Sequence, residues 1–339
     1  MRKIFLNVTI LLLISCSSNN NDLSHFDKEI IPTGVESTSI LTVNEILNPN
    51  TIQLIGNKII IGETSGTPAF HILEVNVDNS IDYLGGFGGE GRGPSEFTRL
   101  MDIISGDSVF YIYDGNQFKL SAFDLEGNYI DELTRTFQTS GLANSLFLLP
   151  NNDIIGAGVF LNERFQIFPH NQSEPNSHGE LIMFDQSFTP RDTGLAWLSH
   201  ATMDAKFENI YLFAENANFI EKYSIDGTLV KRVQGQEFSI PKMKLVDNWP
   251  TDNGGIVAHL KVTNNDENIF VNYSGKIRRD KFNNPFESTL IQQFDFDLNL
   301  TNLFELDHAP STFVVTKENH LYSLANSENG FQIRKTQLK

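Results

Sequence analysis

The sequence predicts an all-β fold, a six-bladed β-propeller of four-stranded antiparallel blades, on three observations. A strand-rich unit recurs six times along the chain, and helical periodicity is sustained nowhere in its mature part. Phe is abundant, at 27 of 339 residues, and Asn, Thr and Ser clusters punctuate the apolar runs. Periods of roughly 40–50 residues carrying four short strands are what propeller blades look like in sequence.

The recurring unit reads as apolar strand, polar turn, strand rich in Ile, Val, Tyr and Phe, loop, strand, tight turn, strand. Its clearest copy is Leu100 to Leu133, where MDIIS is followed by GDSVFYIYD and FKLSAFDLEGNYIDEL. Further copies lie at Lys206–Val233 and Asn265–Leu306. Weaker ones lie at Asn57–Leu84, at Asn151–Leu195 (NNDIIGAGVF with ELIMFDQSFTPRDTGL) and at Lys317–Leu338. Aligning the second strands on Ile59, Val109, Ile154, Ile210, Ile269 and Leu321 gives spacings of 50, 45, 56, 59 and 52. Turns such as Glu126-Gly127-Asn128 and Asp226-Gly227 sit where a hairpin needs them. A pair of β-sandwiches is the alternative architecture, but it leaves the repeat unexplained. The last unit lacks a fourth strand, and the segment Thr38–Leu47 is a spare strand before the first unit. That N-terminal segment is therefore expected to close the ring as the outer strand of the sixth blade.

Three parts of the chain follow: 1–15 as a signal peptide, 16–37 as a lipidated cysteine and flexible tether, and 38–339 as the propeller. Arg2 and Lys3 precede an apolar stretch, Ile4 to Ile14, that is too short to span a bilayer. Leu13-Ile14-Ser15-Cys16 then resembles the lipobox of bacterial lipoproteins, which implies acylation of Cys16, the chain's one cysteine, and a membrane attachment through lipid. The expected location is the cell envelope, as an outer-membrane lipoprotein facing the periplasm or the surface. Formal net charge is −17, and without Arg2 and Lys3 there remain 23 basic against 42 acidic residues, or −19. Such a chain repels phosphate backbones, so nucleic acid is not an expected partner.

The stretch Gly85–Phe97, GGFGGEGRGPSEF, holds six of the 24 glycines and joins the first blade to the second. Gly86 to Gly91 formally matches G-x-G-x-x-G, but Pro94 and the return to strand pattern at Arg99 leave no helix to receive phosphates. Its glycines are expected to shape the crossing, with Arg92, Glu90 and Glu96 clamping it. Within it, GGEGRGPSEF (Gly88–Phe97) resembles the G-x-G-x-G-P-G-E-F signature of six-bladed propeller lipoproteins of Bacteroidetes, relatives of NHL-repeat propellers. Ser95 stands where that signature usually has glycine. The resemblance covers essentially the mature chain and implies a fold and an envelope location, with no assigned activity.

With strands a to d counted outward from the channel, the d–a and b–c connections emerge on one face. The long connections Gly85–Phe97, Leu161–His178, Gln234–Gly254 and Ser274–Ser288 all belong to it, so function is expected there. They carry Arg92, Arg164, Phe165, Phe168, Trp249, Lys276, Arg278, Arg279, Lys281, Phe282 and Phe286. The basic cluster around Arg278 suits a carboxylate, a sulfate or an acidic partner, and Trp249 suits stacking on a sugar or peptide. His200 and His259 fall on inner strands of adjacent blades and, with Arg99, Asp102, Asp204 and Lys261, are expected at the channel mouth.

Those residues, with Trp249 and Arg278, form the expected binding set. No catalytic residue, metal ligand or cofactor is assigned. Walker A, H-E-x-x-H, EF-hand and G-x-S-x-G motifs are all missing from the sequence. The favoured reading is a non-catalytic, lipid-anchored module that binds a glycan, peptide or envelope protein. The alternative is a metal-dependent lyase or hydrolase at the channel mouth, as some NHL-type propellers are, with His200 and His259 among its ligands. A purely structural subunit of an outer-membrane complex is the third possibility.

Overall fold

Six sheets arranged in a ring make up the computed structural model, which describes residues 24–26 and 30–339 except 65, 79, 107, 171–173, 183–186, 236–239, 248, 281 and 329. Blade 1 is formed by Pro49–Ile55, Lys58–Glu63, Phe70–Val75 and Ile81–Phe87. Blade 2 is Leu100–Ser105, Val109–Asp114, Lys119–Asp124 and Tyr129–Thr136. Blade 3 is Leu142–Leu148, Ile154–Val159, Glu163–Phe168 and Asn176–Glu180. Blade 4 is Ser199–Met203, Asn209–Ala214, Phe219–Ser224 and Leu229–Gln234. Blade 5 is Ile256–Asn264, Asn268–Ile277, Leu290–Asp295 and Leu300–Leu306. Blade 6 takes Thr312–Val315, His320–Ser327 and Gly330–Gln337 from the C-terminal end and Ser37–Val43 as its outer strand. The ring therefore closes through an antiparallel pairing of Ser37–Val43 with Gly330–Gln337.

The second strand of each blade alternates its side chains between two neighbours. Ile59 and Ile61 enter the cluster shared with blade 6, while Ile60 enters the one shared with blade 2. Phe110 and Ile112 face blade 1, and Tyr111 and Tyr113 face blade 3. The same alternation places Ile210 and Leu212 against blade 3, and Tyr211 and Phe213 against blade 5. Because strand side chains alternate with period two, a strand buried on both faces must be apolar at every position. Six such clusters, one per blade junction, hold the ring together, and a seventh gathers Trp197, Ala214, Ala217 and Phe219 at blade 4.

Polar side chains fasten the connections between blades. Glu63 accepts from the backbone N–H groups of Leu47 (2.9 Å) and Asn48 (2.5 Å), and Asp114 accepts from that of Thr98 (2.6 Å). Ser140 donates to Glu163 at 2.8 Å, and Arg164 reaches from blade 3 to the carbonyl of Trp197 at 2.9 Å.

Blade 3 departs from the sequence expectation. Its third and fourth strands are Glu163–Phe168 and Asn176–Glu180, so Leu161–His178 is no loop, and Phe165 and Phe168 are core residues. Glu163, Arg164 and Gln166 are buried polar groups with internal partners, and they break the apolar pattern by which a strand is read. The stretch expected to form the hairpin instead carries a helix, α1 (Pro190–Ala196), in the connection to blade 4. Its start has a chemical cause: Thr189 and Asp192 form a capping box, and Pro190 fills the first turn. The stretch assigned to the tether is not wholly free of the propeller either. Ser24–His25 pairs in parallel with the outer strand of blade 4, and Thr33–Val35 pairs likewise with that of blade 5. Phe26 is buried between them, edge-on to Phe294 at 5.4 Å. Residues 1–23, Cys16 included, lie outside the described residues.

The glycine-rich crossing is held differently from the expectation. Lys119, on the third strand of blade 2, donates to the carbonyls of Gly93 (2.8 Å), Pro94 (3.3 Å) and Glu96 (2.8 Å). The Glu96 carboxylate accepts from the Gly93 N–H at 2.8 Å, whereas Arg92 is exposed and makes no ion pair among the described residues. Gly91 has φ +150°, and a Cβ there would sit 2.1 Å from the Glu96 carboxylate. Gly91→Val should therefore lower the melting temperature by several degrees, while Arg92→Ala should leave it within about 1 °C. Thermal denaturation followed by circular dichroism checks both.

Candidate functional site: the channel and its loop-rich mouth

The six inner strands enclose a cavity of about 450 Å³ along the propeller axis, lined by Thr51, Gln53, Asp102, Asn144, His200, Thr202 and Lys261 among others. Asp102 sits at a register shift in the inner strand of blade 2 and bridges to blade 3. Its carboxylate accepts from the N–H of Ile103 at 2.9 Å and that of Leu146 at 2.9 Å. Burial pushes its pKa up to about 6, against the pull of those N–H groups and of the Lys261 ammonium. Lys261 donates to the carbonyl of Asn50 at 2.7 Å. Burial lowers its pKa, and the charges of Asp102 and Glu215 resist that shift.

The blade 4 side of the mouth is organised by Glu215, which follows the second strand of blade 4. One oxygen lies 3.6 Å from His200 Nε2, and the other accepts from Arg278 at 2.7 Å. Burial alone would raise the Glu215 pKa. The hydrogen bond and charge of His200, with the Arg278 guanidinium, override it and hold the group at about 2. Arg278 also donates to Asn216 and lies over the Phe286 ring, 5.0 Å from its centroid.

The expected binding set separates accordingly. Asp102, His200 and Lys261 line the cavity, and Arg278 joins them through Glu215. His259 does not reach the channel mouth: it is wholly buried between blades 4 and 5, edge-on to Phe213 at 5.5 Å. Register shifts on either side of it, between Val257 and His259 and between His259 and Lys261, break the alternation that would have pointed 259 and 261 the same way. Its Nδ1 donates to the carbonyl of Ala214 at 2.8 Å, Nε2 has no partner among the described residues, and burial lowers the pKa to about 4. Asp204 lies at the opposite end of the cavity, where it caps a turn by accepting from the Glu208 N–H and Asn209 Nδ2. Arg99 is exposed just before the inner strand of blade 2. Trp249 is 58% exposed on the hairpin Met243–Val246/Trp249–Asp252, beneath the Arg191 guanidinium of α1 at 5.3 Å.

Glu215 is the residue that sequence reasoning missed, although a signal existed. An acid closes or immediately follows the second strand in KIIIGE, VFYIYD and NIYLFAE, at Glu63, Asp114 and Glu215. In blades 1 and 2 it fastens a connection, and in blade 4 it lies between His200 and the Arg278 guanidinium. No group of three His, Cys, Asp or Glu side chains suited to a metal ion occurs among the described residues.

With this geometry in place, solved structures offer a comparison. The likeness is one of fold. A Bacteroides fragilis protein named as an exported one superposes with a TM-score of 0.59 at 11% identity, over 94% of this chain and 99% of that one. A member of the DUF4221 family from Bacteroides vulgatus gives 0.55 at 11% identity, over 92% and 99%. An auxiliary nutrient binding protein from Bacteroides thetaiotaomicron gives 0.54 at 10% identity, over 88% and 75%. No protein-family model matches the sequence, and no curated protein matches it.

Proposed function

We propose that this protein is a lipid-anchored binding module of the cell envelope that takes a polar ligand, a glycan or a peptide, at the loop-rich mouth of its channel. The observation that carries the reading is one polar cavity lined by Lys261, Asp102 and His200, with Glu215 and Arg278 joined to it through His200. It offers both donors and acceptors, preset by a rigid ring, which is what orients a polar ligand. The lipobox-like Leu13–Cys16 supports the anchor. The exported and nutrient-binding names of the structural neighbours agree with an envelope location and a binding role. No helix among the described residues is long and apolar enough to cross a membrane.

The test is a thermal-shift screen of the purified chain against panels of neutral and acidic oligosaccharides and short peptides. A ligand that binds should lose about tenfold or more in affinity in Lys261→Met and in His200→Ala, since each removes a hydrogen-bonding group that lines the cavity. Turnover of a panel member that depends on added metal would contradict the reading and favour a channel lyase or hydrolase.

A further inference from the structure

The long connections of blades 4 and 5 carry a surface beside the channel mouth, joined to it where Arg278 lies over Phe286. Trp249 is 58% exposed, Phe282 94% and Phe286 51%, and all three stand on two neighbouring connections of the loop-rich face. Lys244 and Arg279 are exposed beside them. Segments 242–252 and 276–287 together hold six basic residues against four acidic ones, in a chain of net charge −17. The opposite face has the reverse character: Asp124, Asp153, Asp226, Asp266, Asp295 and Asp297 all sit in its tight turns. Exposed aromatic rings set among cations are the composition of a surface that enters the headgroup region of a membrane.

A second observation concerns where the chain arrives. Ser24 and His25 pair with Val233 and Gln234, the last residues of blade 4 before the connection that carries Trp249 departs. Eight residue steps separate Ser24 from Cys16. Even fully extended they span at most about 29 Å, about one and a half times the length of a six-residue blade strand. Ser24–His25 runs parallel to that strand, toward the loop-rich face, so an acyl group on Cys16 holds the rim of blade 4 within about 29 Å of the bilayer, in the sector that displays the aromatic and basic side chains.

We propose that the blade 4–5 sector of the loop-rich face rests on a membrane surface carrying anionic lipid phosphates. This rests on the lipid anchor proposed above. The propeller then leans on one sector, and the channel mouth opens sideways, toward blades 1 and 2.

The chain provides its own probe, since it has two tryptophans and the other, Trp197, is buried. The full-length acylated protein is reconstituted into vesicles of brominated phosphatidylcholine, with and without phosphatidylglycerol. Quenching of tryptophan emission should rise about twofold with the anionic lipid. It should vanish in Trp249→Phe and fall in Lys244→Glu/Arg279→Glu. An acylated protein whose emission is quenched no more than that of Trp249→Phe overturns the docking and leaves the anchor standing. An unacylated Cys16, read from the mass of the N-terminal peptide, overturns the anchor and the docking with it. A blue shift of Trp249 on soluble polygalacturonate that matches or exceeds the one on anionic vesicles assigns the patch to an acidic glycan and overturns the membrane assignment.

Discussion

Glu221→Ala should lower the melting temperature by roughly 4–7 °C, the largest single effect expected of any polar residue here. Glu221 is fully buried and takes the Nε groups of Arg164 and Arg232, each at 2.9 Å, and the Tyr223 hydroxyl at 2.8 Å. Arg164 belongs to blade 3, and its other nitrogens hold the Trp197 carbonyl and the Ser199 hydroxyl at the entrance to blade 4. Removing the carboxylate strands a buried guanidinium at the junction of two blades, which costs about 3–5 kcal/mol. The double variant Glu221→Leu/Arg164→Met removes both charges and should recover much of the loss. A single variant that melts within about 1 °C of the parent would show that the pair does not bolt the blades together.

Asp102→Asn should change how stability depends on pH, because half-buried Asp102 and buried His259 pull in opposite directions. His259 has a pKa of about 4 when folded, below its ordinary 6.5. Its contribution is present above pH 6.5 and is lost as pH falls toward 4. Asp102 has a pKa of about 6 when folded, above its ordinary 3.8. Its contribution is present below pH 3.8 and is lost as pH rises through 6. Each is on the order of 3 kcal/mol at its limit, so between pH 4 and 6 the two largely offset one another. Asp102→Asn removes the opposing slope, so its melting temperature should climb more steeply than the parent's between pH 4.5 and 6.5. His259→Phe should show the reverse. The other carboxylates are common to all three proteins, so parallel curves would contradict the placement of these two groups.

The parts of the fold that were legible in the sequence are those buried on both sides. Second strands such as KIIIGE and VFYIYD are apolar at successive positions because each packs against two neighbouring blades, and they marked all six units. The ring closure was legible too, since an unpaired last sheet and a spare first strand require one another. Blade 3 was misread where ERFQIF places Glu163, Arg164 and Gln166 in the interior, because partners that neutralise buried polar groups come from distant chain segments. The site was half legible for the same kind of reason. Asp102, Lys261 and His200 follow from their places on inner strands, but bulges beside His259 turned it into the wall, and Glu215 became part of the mouth through contacts with His200 of its own blade and Arg278 of blade 5. A bulge leaves no local trace in the sequence, and the acid that ends NIYLFAE marks a position without naming its partner in blade 5.

The central claim is that ligands are taken at the loop-rich mouth of the channel. Hydrogen–deuterium exchange on the complex with any ligand from the screen tests it most directly. Protection should appear in 198–203 and 213–219 of blade 4 and in 258–262 of blade 5, which carry His200, Glu215 and Lys261. Protection confined instead to the tight turns of the opposite face, around Asp124, Asp226 and Asp295, would contradict it.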